Sequence, residues 1–189
     1  MMLKCSTSLW SADLANLESE IKRVEPFSER FHLDVADGHF TPTLLFFPDL
    51  VKAMRSHTEV PMEVHLMATD PLAWVEPFAE AGVNGVIFCY DSLVNVGEAI
   101  DVVHQQGLFA GISLDLGQDV ELLDPYWNEL ELVTLIGTAV GIKVVLICKS
   151  RGAENKKKMI FCSTSPSGGN QVDGLPPTAS GHPSPLLRK

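Results

Sequence analysis

The sequence predicts a parallel α/β fold of the (β/α)8 TIM type that stops short of a closed barrel. Three observations carry this expectation. Up to about residue 142, short apolar runs alternate with helical patterns, giving roughly six βα units with short connections. Neither GxGxxG nor GxxxxGK[ST] follows the first apolar run, so nothing points to a nucleotide-binding doubly wound sheet. The polar residues of chemical interest fall within or just after the first three strands, where barrel enzymes gather their chemistry.

The run CSTSLW reads as the first strand. SADLANLESEIKRVEP then puts Leu14, Leu17, Ile21 and Val24 at helical spacing, with Ser11 as the expected N-cap, a Glu18–Lys22 pair one turn apart, and Pro26 at its end. RFHLDVA is the second strand, Asp37-Gly38 the turn that ends it, and His39 a loop residue with no inferred partner. FPDLVKAMRSH follows as a helix with Pro48 near its start, and PMEVHLMA as the third strand. Next come PLAWVEPFAEAG as a helix, GVIFCY as a strand, LVNVGEAIDVVHQQG as a helix and LFAGISL as a strand. DVELLDPYWNEL is expected to be helical and LELVTLIG to be a strand. His57 and His104 lie near helix C-termini, where the helix dipole accounts for them.

After Lys143 this rhythm stops. VVLIC offers one more strand, KSRGAENKKK is polar, and the remainder is dominated by Ser, Pro and Gly, with five of the chain's 12 prolines from Pro166 onward. The expected organisation is a barrel-type domain over residues 1–148 and a low-complexity, disordered tail over 149–189. A closed barrel needs at least about 200 residues, more than this chain supplies.

The net charge of -10 conceals a break: residues 1–142 hold 6 Lys+Arg against 22 Asp+Glu, and residues 143–189 hold 8 against 2. An acidic body excludes nucleic acid as its partner, because a phosphate backbone needs a basic face. No apolar run reaches the ~18 residues of a membrane helix and the N-terminus has no long apolar core, so no membrane partner and a cytoplasmic location are expected. Cys5, Cys89, Cys148 and Cys162 form no CxxC pair and are expected as reduced thiols.

Side chains alternate across a strand, so His32 and Asp34 share one face of RFHLDVA, while Phe31, Leu33 and Val35 share the other. The same rule groups Glu63, His65 and Met67. If the two strands are neighbours, His32, Asp34 and His65 converge inside the barrel as a ligand set for one divalent ion, with zinc, iron, manganese and cobalt equally suited. A strand histidine has an ordinary alternative as a hydrogen-bonded core residue. Asp34 does not fit that alternative easily, because a carboxylate between Leu33 and Val35 needs a cation or strong donors to stay charged. Ser8, at the end of the first strand, is placed to hydrogen-bond a ligand, and Met67 either packs the core or walls the site.

Taken together, SLWSADLANLESEIKRVE, FHLDVADGHFTP, FPDLVKAMRSHTEVP and EVHLM resemble the ribulose-phosphate 3-epimerase family over about residues 5–142. The resemblance implies a metal-dependent barrel enzyme that interconverts D-ribulose 5-phosphate and D-xylulose 5-phosphate by proton exchange at C3. It assigns His32, Asp34 and His65 to the metal, Asp34 also to acid/base catalysis, and Ser8, His65 and Met67 to the substrate. The implied partner is a small sugar phosphate, and the open barrel edge suits a homo-oligomer or pairing with a full-length subunit.

Four departures set this chain apart from the family pattern. Ala36 stands where a methionine is common, GTAVGIK replaces the NPGFGG loop and keeps only Gly141, and Asp115 in ISLDLG adds a negative charge. The late VDGG motif, source of a second catalytic aspartate, has only Val172-Asp173-Gly174 followed by Leu175 as a weak counterpart. These departures point to a related sugar phosphate or a less charged sugar. The alternative is an inactive product with a frame-shifted or spliced end that binds ligand, metal or a full-length subunit.

Overall fold

A computed structural model describes residues 5–137 and 140 in full, together with the backbone of residues 146–148 and 159–163. The elements run β1 (Ser6–Ser8), α1 (Leu17–Val24), β2 (Arg30–Asp37), β3 (Leu44–Leu45), α2 (Pro48–Arg55), β4 (Met62–Met67), α3 (Val75–Glu80), β5 (Gly85–Cys89), α4 (Val96–Gln105), β6 (Phe109–Leu114), β7 (Leu132–Ile136), β8 (Leu146–Cys148) and β9 (Met159–Ser163). Together the strands make one sheet in the order β1-β2-β4-β5-β6-β7-β9-β8, with β3 attached to β2. Pairing is parallel from β1 through β7 to β9, while β3 on β2 and β8 on β9 are antiparallel. The result is a curled parallel sheet with helices on its outer face, an incomplete (β/α)8 barrel.

Strands β4 and β5 are buried along their whole length, as parallel strands covered on both faces must be. Phe31, Leu33 and Val35 of β2, Val64 and Leu66 of β4, and Val86 and Phe88 of β5 face outward into the main core. They meet the apolar stripes of the helices there: Leu17 and Ile21 from α1, Val51 and Met54 from α2, Phe78 from α3, Ile100 and Val103 from α4. Burying a side chain of this size contributes about 1.5–3 kcal/mol, so this shell supplies the main favourable term. The alternate residues point to the concave side. There the charged and polar groups of β2 and β4 lie low in the barrel, and a small apolar patch of Ala36, Met67 and Cys89 packs with Trp10, Phe40 and Val140 near its mouth.

Several local expectations are corrected. The chain enters α1 through a 3-10 turn at Leu14–Asn16 whose cap is Asp13, accepting from the Ala15 amide at 3.0 Å, rather than Ser11. Lys22 pairs with Glu25, and Glu18 reaches His57 instead of Lys22. DVELLDPYWNEL forms a 3-10 segment at Val120–Tyr126, because Pro125 lacks the amide an α-helix would need there. Met159–Ser163, within the segment assigned to the tail, is a strand beside β7. The rest of that tail, Asp173 included, and most of GTAVGIK lie outside the described residues. No helix among the described residues is long and apolar enough to cross a membrane.

Candidate metal centre

Parallel pairing of β2 with β4 sets His32 opposite Glu63 and Asp34 opposite His65. Because inward residues recur at every second position, this register gathers His32, Asp34 and His65 in one layer of the interior. All three are buried, and one ligand atom from each lies within 4.8 Å of the others. Asp34 Oδ1 is 3.4 Å from His32 Nε2 and 3.5 Å from His65 Nδ1. The rings are tilted at 43° with centroids 5.6 Å apart, so their inner nitrogens converge rather than stack.

Hydrogen bonds fix which nitrogens face inward. His32 Nδ1 donates to Glu63 Oε1 at 2.9 Å, which leaves Nε2 as the nitrogen turned toward Asp34. The Ser113 hydroxyl donates to the Phe88 carbonyl at 3.2 Å, so its oxygen accepts from His65 Nε2 at 2.8 Å and leaves Nδ1 turned toward Asp34. Cys89 Sγ lies 3.4 Å from the same Nε2. Both imidazoles are thus oriented by partners behind them, as metal-bound histidines are. Two nitrogens and one carboxylate oxygen, buried and convergent, fit a borderline divalent transition ion, with further positions open to substrate oxygens.

Ser8 donates to the second Asp34 oxygen, Oδ2, at 2.9 Å. Met67 is buried at the mouth beside Ala36 and Cys89, on the wall of the site. A cavity of about 270 Å3 adjoins it, lined by Cys89, Tyr90, Asp91, Ser113, Asp115 and Phe40 among others. Thr134, opposite Ser113 in the sheet, is buried with its hydroxyl lacking a hydrogen-bond partner among the described residues.

A model described as the ribulose-phosphate 3 epimerase family matches residues 4–143. The chain belongs to the ribulose-phosphate 3-epimerase family. It is 35% identical over 136 residues to the Bacillus subtilis (strain 168) ribulose-phosphate 3-epimerase, covering 71% of this chain and 63% of that protein. With the cytoplasmic isoform of Oryza sativa subsp. japonica it shares 36% over 143 residues, or 73% of this chain and 63% of the other. The Schizosaccharomyces pombe enzyme is 33% identical over 142 residues, 73% and 62% of the two chains. This chain therefore spans less than two thirds of the length of these epimerases. A mutant tryptophan synthase alpha-subunit from Pyrococcus furiosus matches with a TM-score of 0.54 at 13% identity, covering 76% of this chain and 71% of that one, which shows the shared barrel-type fold alone.

In the epimerase-family site the charges are strongly coupled. Burial pulls the His32 imidazole down, but the Asp34 and Glu63 carboxylates override it and push it up to about 10. His65 is likewise lowered by burial and raised by Cys89 and Asp34, ending at about 9. For Asp34, burial raises the carboxyl while the two imidazoles hold it well below the usual carboxylate range. Asp34 is therefore a carboxylate at neutral pH.

Three contributors escaped the sequence reading as functional groups. Glu63 is fully buried and holds His32, whereas alternation alone only placed it on the inward face. Ser113 and Cys89 hold His65, and no motif marks them. Asp37-Gly38-His39 forms a turn as expected, but His39 has a partner, since its amide donates to Asp37 Oδ1 and its Nδ1 lies 3.0 Å from the Asp37 carbonyl. Gly38 sits there at φ +75°, a conformation that favours glycine.

Proposed function

We propose that this chain performs the C3 proton transfer of a ribulose-phosphate 3-epimerase, interconverting D-ribulose 5-phosphate and D-xylulose 5-phosphate or a closely related sugar phosphate. The observation that supports this reading most directly is the division of labour on Asp34. Its Oδ1 faces the inner nitrogens of the two imidazoles, and its Oδ2 meets Ser8 at the end of β1. His32, Asp34 and His65 would hold a divalent ion, which would supply Lewis-acid polarisation of the substrate carbonyl and so acidify the neighbouring C–H. Asp34 takes the C3 proton on the face it meets, and the electron pair left behind delocalises toward the C2 carbonyl oxygen. Ser8 holds the carboxylate in position, while Met67 and Phe40 wall the site against water. Delivery of a proton to the opposite face needs a second acid, which this reading draws from outside the described residues.

Incubation with ribulose 5-phosphate in deuterium oxide, with zinc, iron, manganese or cobalt supplied, tests the proposal. Deuterium should enter C3 and xylulose 5-phosphate should form, and Asp34→Asn should abolish both. Absence of exchange at any enzyme concentration would sink it.

A second reading is favoured by Asp34 being the one carboxylate in the described cluster of His32, Asp34 and His65. In that reading the site binds metal, ligand or a full-length subunit without turnover. Metal uptake with no exchange would support it.

A further inference from the structure

Glu63 does more than accept one hydrogen bond. Its side chain is fully buried, and it collects three donors: His32 Nδ1 at 2.9 Å and the Ser6 hydroxyl at 3.0 Å on Oε1, and Arg30 Nη1 at 2.7 Å on Oε2. Arg30 is in turn capped by the Phe109 ring, 4.3 Å from the guanidinium carbon to the ring centroid. The row is built into the register, because His32, Glu63, Gly85 and Phe109 lie opposite one another across four neighbouring strands. Gly85 is the member that makes it possible, since a Cβ there would come within 2.2 Å of the Phe109 ring.

We infer that the Glu63 carboxylate, held by Arg30 on its far oxygen, is a positioning device that selects which nitrogen of His32 faces the centre. The two ends of the Glu63 carboxylate face different partners, His32 on Oε1 and Arg30 on Oε2. Arg30 is a permanent donor and occupies Oε2, so only an acceptor is tolerated on that side. With a carboxylate, both oxygens accept, His32 keeps its proton on Nδ1, and Nε2 is the nitrogen left to meet the ion. With an amide in place of the carboxylate, Arg30 claims the carbonyl oxygen and turns the NH2 group toward His32. Nδ1 must then accept, the ring proton moves to Nε2, and the nitrogen meant for the ion is blocked. The other amide orientation would set NH2 against the guanidinium, two donors face to face in a part-buried site.

This inference rests on the metal-site reading above, and its test separates the two. Wild type, Glu63→Gln, Arg30→Met and the double variant are compared by cobalt affinity in a chelator competition. Two-dimensional NMR of 15N-labelled histidine reports whether His32 Nδ1 carries a proton, with and without cobalt's diamagnetic substitute zinc. The expected pattern is a loss of about 10–100-fold in affinity for Glu63→Gln, with the Nδ1 proton signal gone. Arg30→Met alone should keep that signal, because Glu63 remains. The double variant should regain most of the affinity and the signal, because the amide oxygen is then free to face His32. A purely structural role for Arg30 predicts the opposite order, with the double variant worse than either single one, and that result overturns the inference. Equal cobalt affinity and an intact Nδ1 proton in Glu63→Gln also overturn it while leaving the metal site standing. A wild type that takes up no ion, yet shows the Nδ1 proton lost in Glu63→Gln and restored in the double variant, overturns the metal site and upholds the positioning role. If Glu63→Gln does not fold, the Nδ1 signal of Arg30→Met still decides: its loss contradicts a proton position set by the carboxylate.

Discussion

The Ser8 hydroxyl donates to Asp34 Oδ2 at 2.9 Å, on the carboxylate oxygen turned away from the imidazoles that face Oδ1. Metal ligation and proton transfer can therefore be separated by substitution. Ser8→Ala removes a hydrogen bond to a charged group, worth about 1.5–3 kcal/mol. It should slow C3 exchange by about tenfold or more while leaving cobalt affinity within about threefold of wild type. A parallel loss of both would show that Ser8 supports the ligand set instead.

Metal uptake should release protons. His32 and His65 are pushed up to about 10 and about 9, burial acting against and the neighbouring Asp34, Glu63 and Cys89 acting for the charged form. Both are imidazolium ions at pH 7 in the metal-free protein, yet only neutral imidazole binds an ion. Binding should expel close to two protons per ion at pH 7, and the apparent affinity should rise with pH up to about 9. Calorimetry in buffers of different ionisation enthalpy measures this, and a buffer-independent heat would contradict it. The same shifts stabilise the metal-free fold: since both values are raised, the contribution is fully present below about 6.5 and is lost as pH climbs through about 9 and 10.

Gly85→Ala should destabilise the protein without touching a ligand. The added Cβ meets the Phe109 ring at 2.2 Å, so the ring must leave its place over Arg30. Overpacking of this kind costs about 1–3 kcal/mol. Urea unfolding should show a lower midpoint, and an unchanged midpoint would mean that Phe109 has a second position available.

Asp37 contributes to the acid limb of stability alongside Asp34 and Glu63. Burial raises its carboxyl, but amide donors from Thr69, His39 and Phe40 outweigh this and hold it at about 2. The value is depressed, so the contribution is present above the unfolded value of about 3.9 and disappears as pH falls toward about 2. Asp37→Ala should cost about 1 kcal/mol at neutral pH and flatten the stability curve between these limits. An acid limb identical to wild type would assign that part of the curve to other carboxylates.

The barrel-type order of elements and the convergence of His32, Asp34 and His65 were legible in the sequence because both follow from period alone. A two-residue repeat fixes which residues share a face, and short βα connections fix which strands are neighbours. The roles of Glu63 and Ser113 were not legible, since they depend on register: Glu63 meets His32, and Ser113 meets His65 across the intervening β5. Asp13 displaced Ser11 as a cap because the turn opens two residues later than the polar run suggests. The two-residue strand β3 is too short to show a period, and β9 is flanked by polar segments that mask its four-residue apolar run, Met159 to Cys162.

The ligand set of His32, Asp34 and His65 is the centre of this account, and elemental analysis after cobalt or zinc loading tests it most directly. Wild type should hold about one ion per chain, and His32→Ala and His65→Ala should hold none while remaining folded. An ion-free wild type, or stoichiometric binding that survives His65→Ala, would contradict it.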